Sequence, residues 1–156
     1  LLVQLGRHEA AVVDFERALL IKPSEWRALR ELGNLHLLVG ELPAAVAAYD
    51  RALEYEDRDA DLHANAALAH SELGDVTRAL RHLQAAVAAN PRHAGAHNTW
   101  AAELVKLGRI EEALSHARLA SEIGDDPDFD ENLAKIESLR TTGRVGVSRA
   151  AVGTAH

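Results

Sequence analysis

Four glycines set the frame of this chain. Gly6, Gly40, Gly74 and Gly108 recur at one constant spacing, a period of 34, with no insertion between them. Five residues after each comes an alanine (Ala11, Ala45, Ala79, Ala113). Seven further on comes another (Ala18, Ala52, Ala86, Ala120). Pro23 and Pro91 close two of the units, and Asp57 and Asp125 hold the same place in the other two. A period of this length is the mark of a stacked repeat, in which each unit buries its apolar face against the next.

Each unit carries two helical patterns. In LHANAALAHSELG (62–74) small or apolar residues recur at Leu62, Ala66, Ala69 and Leu73, a helical spacing. After Gly74 a second pattern runs through Val76, Ala79, Leu80, Leu83, Ala86 and Val87, and it stops before Asn90-Pro91. The glycine between them fits a tight turn needing positive φ. Aromatics are only 4% of the chain, so the core must come from aliphatics and many alanines, whose methyls let helices approach closely. Helices are predicted near 7–22, 25–39, 42–56, 59–73, 76–89, 93–107, 110–123 and 127–141. Pro43 lies near the start of its helix, where a missing N–H costs little.

This pattern resembles the tetratricopeptide repeat family, whose 34-residue unit is an antiparallel helix pair, A and B. Residues 25–58 carry it most fully, through Leu29, Leu32-Gly33, Gly40, Ala45, Tyr49 and Ala52-Leu53. Trp26 sits three places before the usual aromatic, Leu83 and Ala117 replace the helix-B aromatic, and Trp100 replaces a helix-A leucine. Trp100 opposite Ala117 reads as volume compensation. The resemblance implies an all-α, right-handed superhelical solenoid with the A helices on its concave side. It divides residues 1–141 into a partial repeat (1–24), full repeats (25–58, 59–92, 93–126) and a capping helix (127–141). Residues 142–156 form a tail or linker. Gly6 then follows the last turn of a helix A that begins upstream, so the native N-terminus is expected to be missing. An apolar edge around Val12, Phe15 and Leu19 is expected to need a cover.

Chemistry is sparse. There are no cysteines, which removes disulfides, thiolate metal sites and cysteine nucleophiles. The sequence has no phosphate loop, dinucleotide fingerprint or nucleophile elbow. A net charge of −7 argues against nucleic-acid and anionic-membrane partners. Only three of the seventeen cationic residues are lysine, and alanine is abundant, which suggests a GC-rich, bacterial source. No membrane span or signal peptide is visible, and a cytoplasmic location is expected.

Nine histidines invite a metal reading, but the pairs His36/His70, His63/His97 and His82/His116 repeat with the register and read as aromatic filler. His93 and His97 have ligand spacing, without a third partner. DDPDFDENLAKIE (125–137) mimics a calcium loop, yet Glu131 stands where that loop needs glycine. Its acids read as helix-start residues, with Asp126 before Pro127 as an N-cap. No cofactor, no metal and no catalytic activity are expected.

The remaining candidate site is the groove. By the family's register it includes Trp26, Arg27, Arg30, Asn34, Asp61, Asn65, Gly95 and Asn98, of which Gly95 offers no side chain. Some relatives clamp the C-terminal carboxylates of heat-shock chaperones with five polar residues. Arg30, Asn34 and Asn65 fit three of them, while Gly95 and Thr99 lack the charge of the other two. The expected function is a protein-interaction scaffold holding a partner peptide or helix. The alternatives are a regulatory or substrate-recruiting arm of a larger enzyme such as a transferase, or a scaffold that self-associates through its N-terminal helix or tail.

Overall fold

The computed structural model describes the backbone of residues 2–151 and the side chains of His8 and residues 10–142. Among them are eight helices and no strand: α1 (Leu2–Ile21), α2 (Trp26–Leu38), α3 (Leu42–Leu53), α4 (Ala60–Glu72), α5 (Val76–Ala89), α6 (Ala94–Lys106), α7 (Ile110–Ile123) and α8 (Pro127–Ala151). The chain divides into two compact units, Leu1–Pro91 and Arg92–His156.

Three turns are built alike. Gly40, Gly74 and Gly108 adopt φ of 80°, 79° and 72°. Around each, two carbonyls of the preceding helix are recaptured. Gly40 N–H donates to Leu37 and Glu41 N–H to His36. Gly74 and Asp75 bond Ser71 and His70, and Gly108 and Arg109 bond Val105 and Leu104. This is the Schellman arrangement, which needs a left-handed residue at its corner. It reverses the chain so that α2 packs on α3, α4 on α5, and α6 on α7. The starts of α4 and α5 are capped by side chains. Asp59 accepts from Leu62 N–H at 2.7 Å, and Asp75 from Arg78 N–H at 3.1 Å. Pro43 occupies the first turn of α3.

In the first unit α1 packs on α2 and α3 on α4. Its core holds Leu19, Ala28, Leu29, Leu32, Ala45, Tyr49, Ala52, Leu62 and Ala66. Tyr49 is fully buried against Gly33, where an added Cβ would lie 2.5 Å from Cε1 of the ring. In the second unit α8 packs on α7 and α6 over Ala101, Leu104, Ala113, Leu114, Ala117 and Ile136. Trp100 packs against this cluster, of which Ala117 is a member.

The two ends differ from expectation. α1 runs unbroken through Gly6, which was expected at a turn. Five residues are too few to nucleate a helix of their own, whereas extending an existing one gains a bond per residue. Glycine inside a helix costs only about 1 kcal/mol. Likewise α8 continues to Ala151, past the expected end at 141. No proline interrupts it after Pro127, and the Thr141 and Thr142 hydroxyls donate to the Ser138 carbonyl. From residue 143 onward the side chains of the expected 142–156 tail lie outside the described residues. The apolar edge is also corrected. Val12 and Phe15 pack against the core and Leu19 is buried. Among the described residues, the large apolar side chains of α1 that face solvent are Val13, Leu20 and Ile21.

Candidate functional site

Six of the eight groove candidates lie in the first unit, on α2 and α4. Trp26 opens α2, partly buried against the core. Two cations stack on its ring, with the guanidinium carbons of Arg27 and Arg30 at 4.5 and 5.6 Å from the centroid. Such stacking holds the arginines in place and is worth about 0.5–1 kcal/mol at exposed sites. The two arginines then part company. Arg27 is exposed. Arg30 is held by Glu31 at 3.1 Å and by Asp59, the cap of α4, at 3.7 Å. Its charge is already matched by two carboxylates.

One turn along α2, Asn34 is the centre of a polar chain. Its Oδ1 accepts from the Tyr49 hydroxyl at 2.8 Å and from Asn65 Nδ2 at 2.9 Å. Its Nδ2 donates to Glu31 at 3.3 Å. Burial, reinforced by the nearby Glu31 charge, pushes the Tyr49 phenol well above its usual range, so it stays a donor. The amide of Asn34 is thereby oriented, and Asn65, far along the chain on α4, is tied to it. An asparagine amide has two N–H groups and a carbonyl, so Asn65 retains capacity beyond that bond. Asp61 is exposed in the first turn of α4.

Gly95 and Asn98 belong to the second unit, on α6. Asn98 Oδ1 accepts from Asn132 Nδ2 at 2.7 Å, an asparagine pair one repeat period apart. The Gly95 carbonyl accepts from the Thr99 hydroxyl at 3.0 Å. The five-residue carboxylate clamp is not reproduced. Its would-be cation Arg30 is neutralised, and its last two positions are a glycine and a threonine bonded to each other.

The histidines pair differently from the sequence register. Contacts join helix A to helix B within a repeat. His63 Nδ1 meets His82 Nδ1 at 3.2 Å, and His97 Nδ1 meets His116 Nδ1 at 2.8 Å. His70 stacks on His82, and Trp100 on His116 with centroids 4.5 Å apart. Burial, with the neighbouring histidines adding, pushes His82 down to about 4. Burial also lowers His70 and His116. These rings are neutral near pH 7. Of the two histidines with ligand spacing, His93 caps α6, its Nδ1 accepting from Ala96 N–H at 3.0 Å, and His97 Nδ1 faces His116. The acids of 125–137 are used by the fold. Asp126 accepts from Asp128 N–H at 3.0 Å, Asp130 accepts from the Ser121 hydroxyl, and Glu137 pairs with Arg118. No helix of the described residues is long and apolar enough to cross a membrane.

One grouping escaped the sequence reading. Asp50 on α3, His70 on α4 and His82 on α5 bring candidate ligand atoms within 4.8 Å of one another. They line a cavity of about 480 Å³ with Leu53, Glu54, Arg78 and Arg81. Ligands drawn from three helices leave no spacing motif.

A family model described as "Tetratricopeptide repeat" matches residues 1–62, and one described as "Anaphase-promoting complex, cyclosome, subunit 3" matches residues 40–118. Among solved structures, MamA is similar at 16% identity, with a TM-score of 0.79 over 88% of this chain and 81% of that one. TTC0263, a thermophilic TPR protein in Thermus thermophilus, is similar at 27% identity, with a TM-score of 0.73 over 86% of this chain and 75% of that one. The first TPR of Spaghetti (RPAP3), bound to HSP90 peptide SRMEEVD, is similar at 23% identity, with a TM-score of 0.71 over 75% of this chain and 94% of that one. A search of the curated proteins gave no match.

Proposed function

Because the chain belongs to the tetratricopeptide repeat family, an all-α helical-repeat class whose members are typically non-catalytic interaction scaffolds, we propose that it binds a partner peptide on the α2/α4 face of its first unit. The observation that carries this reading is the oriented pair Asn34–Asn65, backed by Tyr49. A side-chain amide held in one orientation matches the alternating N–H and C=O groups of an extended peptide backbone, at low ordering cost. Beside it, Arg27 stacked on Trp26 offers an exposed cation on an aromatic plate, the residue types that dominate interface energetics. The occupant is an extended segment with an acidic group at the Trp26 end. That the RPAP3 repeat holds an acidic peptide supports the class of ligand. The neutralised Arg30 argues against recognition of a terminal carboxylate by a full clamp. Asn98 is the equivalent contact for the second unit.

A library of acidic peptides, screened by fluorescence anisotropy, tests this. Peptides selected by the wild type should bind Arg27→Glu and Asn65→Ala at least about fivefold more weakly, near 1 kcal/mol. Equal affinity of both variants for every selected peptide would refute the assignment.

A further inference from the structure

Asp50, His70 and His82 have no part in the proposed peptide face, and their chemistry points elsewhere. We infer that these three residues form a binding site for a divalent transition-metal cation of the zinc type, fastening α3 of one repeat to α4 and α5 of the next. Two imidazoles and one carboxylate are a donor set that zinc accepts, with the fourth position left to water. A single carboxylate is too few oxygens for calcium or magnesium. The candidate donor atoms already lie within 4.8 Å of one another. Bound zinc needs them about 3.3 Å apart, given metal–ligand distances near 2.0 Å. Asp50 is exposed and can swing inward, while His70 is buried and fixed.

A hydrogen-bond relay sets the tautomer of His82. The Asp57 carbonyl can only accept, so His63 Nε2, 2.9 Å away, carries the proton. In the uncharged ring His63 Nδ1 is then bare, and its 3.2 Å contact requires the proton on His82 Nδ1. That leaves the lone pair of His82 on Nε2, as a metal-ligating imidazole held by an outer partner has it. The surrounding charge does not forbid a cation. Of the two arginines lining the cavity, Arg78 is paired with Asp75 at 3.4 Å, and the carboxylates of Asp50 and Glu54 share the lining with Arg81. The cavity leaves room for the coordinated water.

The test is zinc titration of the full chain by calorimetry, with cobalt(II) absorption as a spectroscopic reading of the ligand field. The wild type should take up one zinc with a rise in melting temperature reversed by chelator. It should also give cobalt bands of low-symmetry four- or five-coordination. Asp50→Asn, a change at an exposed carboxylate that leaves the fold intact, and His82→Gln should each weaken binding at least tenfold. His93→Ala should bind like the wild type. Absence of zinc binding by the wild type, or an Asp50→Asn variant that binds equally well, would overturn the site.

Discussion

Gly33 gives the sharpest test of how the repeats pack. Replacing a helical glycine by alanine ordinarily stabilises, by about 0.8–1 kcal/mol, because alanine is the better helix former. Here the added methyl would stand 2.5, 2.7 and 2.9 Å from Cε1, Cδ1 and Cζ of Tyr49. Ordinary contact begins nearly an ångström further out. The obstacle is a rigid ring with no exposed surface, and its hydroxyl is tied to Asn34 at 2.8 Å. Overpacking of this kind costs about 1–3 kcal/mol. Displacing the ring also weakens the Asn34 bond, worth about 0.5–1.5 kcal/mol. Against the helix-propensity gain, Gly33→Ala should cost about 1–3 kcal/mol net, a fall in Tm of at least about 4 °C for a unit this size. Gly95 is the control. A Cβ there meets only His93 at 3.5 Å, so Gly95→Ala should be neutral or stabilising. Urea and thermal unfolding followed by circular dichroism would measure both, with Gly33→Ala/Tyr49→Leu as the rescue. A stabilised Gly33→Ala, or a double variant with no recovery, would refute the argument.

Gly74→Ala should cost about 1–2 kcal/mol through its φ of 79° alone, since nothing lies within 4 Å of an added Cβ; Gly74→Asn should cost less in the same unfolding assay. Tyr49→Phe should lose about 1 kcal/mol and loosen the Asn65 side-chain amide, seen as faster exchange of its NH2 signals. Trp100→Ala should cost about 3 kcal/mol, the low end for such a truncation because the ring is only half-buried; unchanged thermal stability would contradict its packing role. His116 sits against His97, Trp100 and Glu112, and its pKa is lowered first by burial and then by His97. The unfolded chain therefore binds its proton more readily. Stability from this group is full above the unfolded value of about 6.5 and is lost as pH falls through the lower folded value. With chelator present, Tm should drop between about pH 7 and pH 5, and His116→Phe should flatten that part of the slope.

The parts of the fold written locally were legible. A positive φ at Gly40, Gly74 and Gly108 is a demand of one residue on its own backbone, and the repeat period exposes it. The six helices α2–α7 lie within three residues of their expected bounds. The start of α1 and the end of α8 were not legible, because no proline or cap marks them and adding one residue to a helix changes the free energy little. Side-chain pairing was harder still. Arg30 has the sequence position of a groove cation, but Asp59, which caps α4 in the next repeat, lies beside it in space. The histidines recur once per repeat, yet they touch within a repeat, where helix B folds back on helix A. Asp50, His70 and His82 meet only because three helices pack together.

The central claim is that the α2/α4 face of the first unit receives a peptide. A titration of the 15N-labelled chain with the tightest acidic peptide from the screen tests it most directly. The account predicts shifts concentrated on the α2 and α4 amides, on the Asn65 side-chain NH2 and on the Trp26 indole. Shifts confined to α3, α5 or the exposed apolar residues of α1 would contradict it.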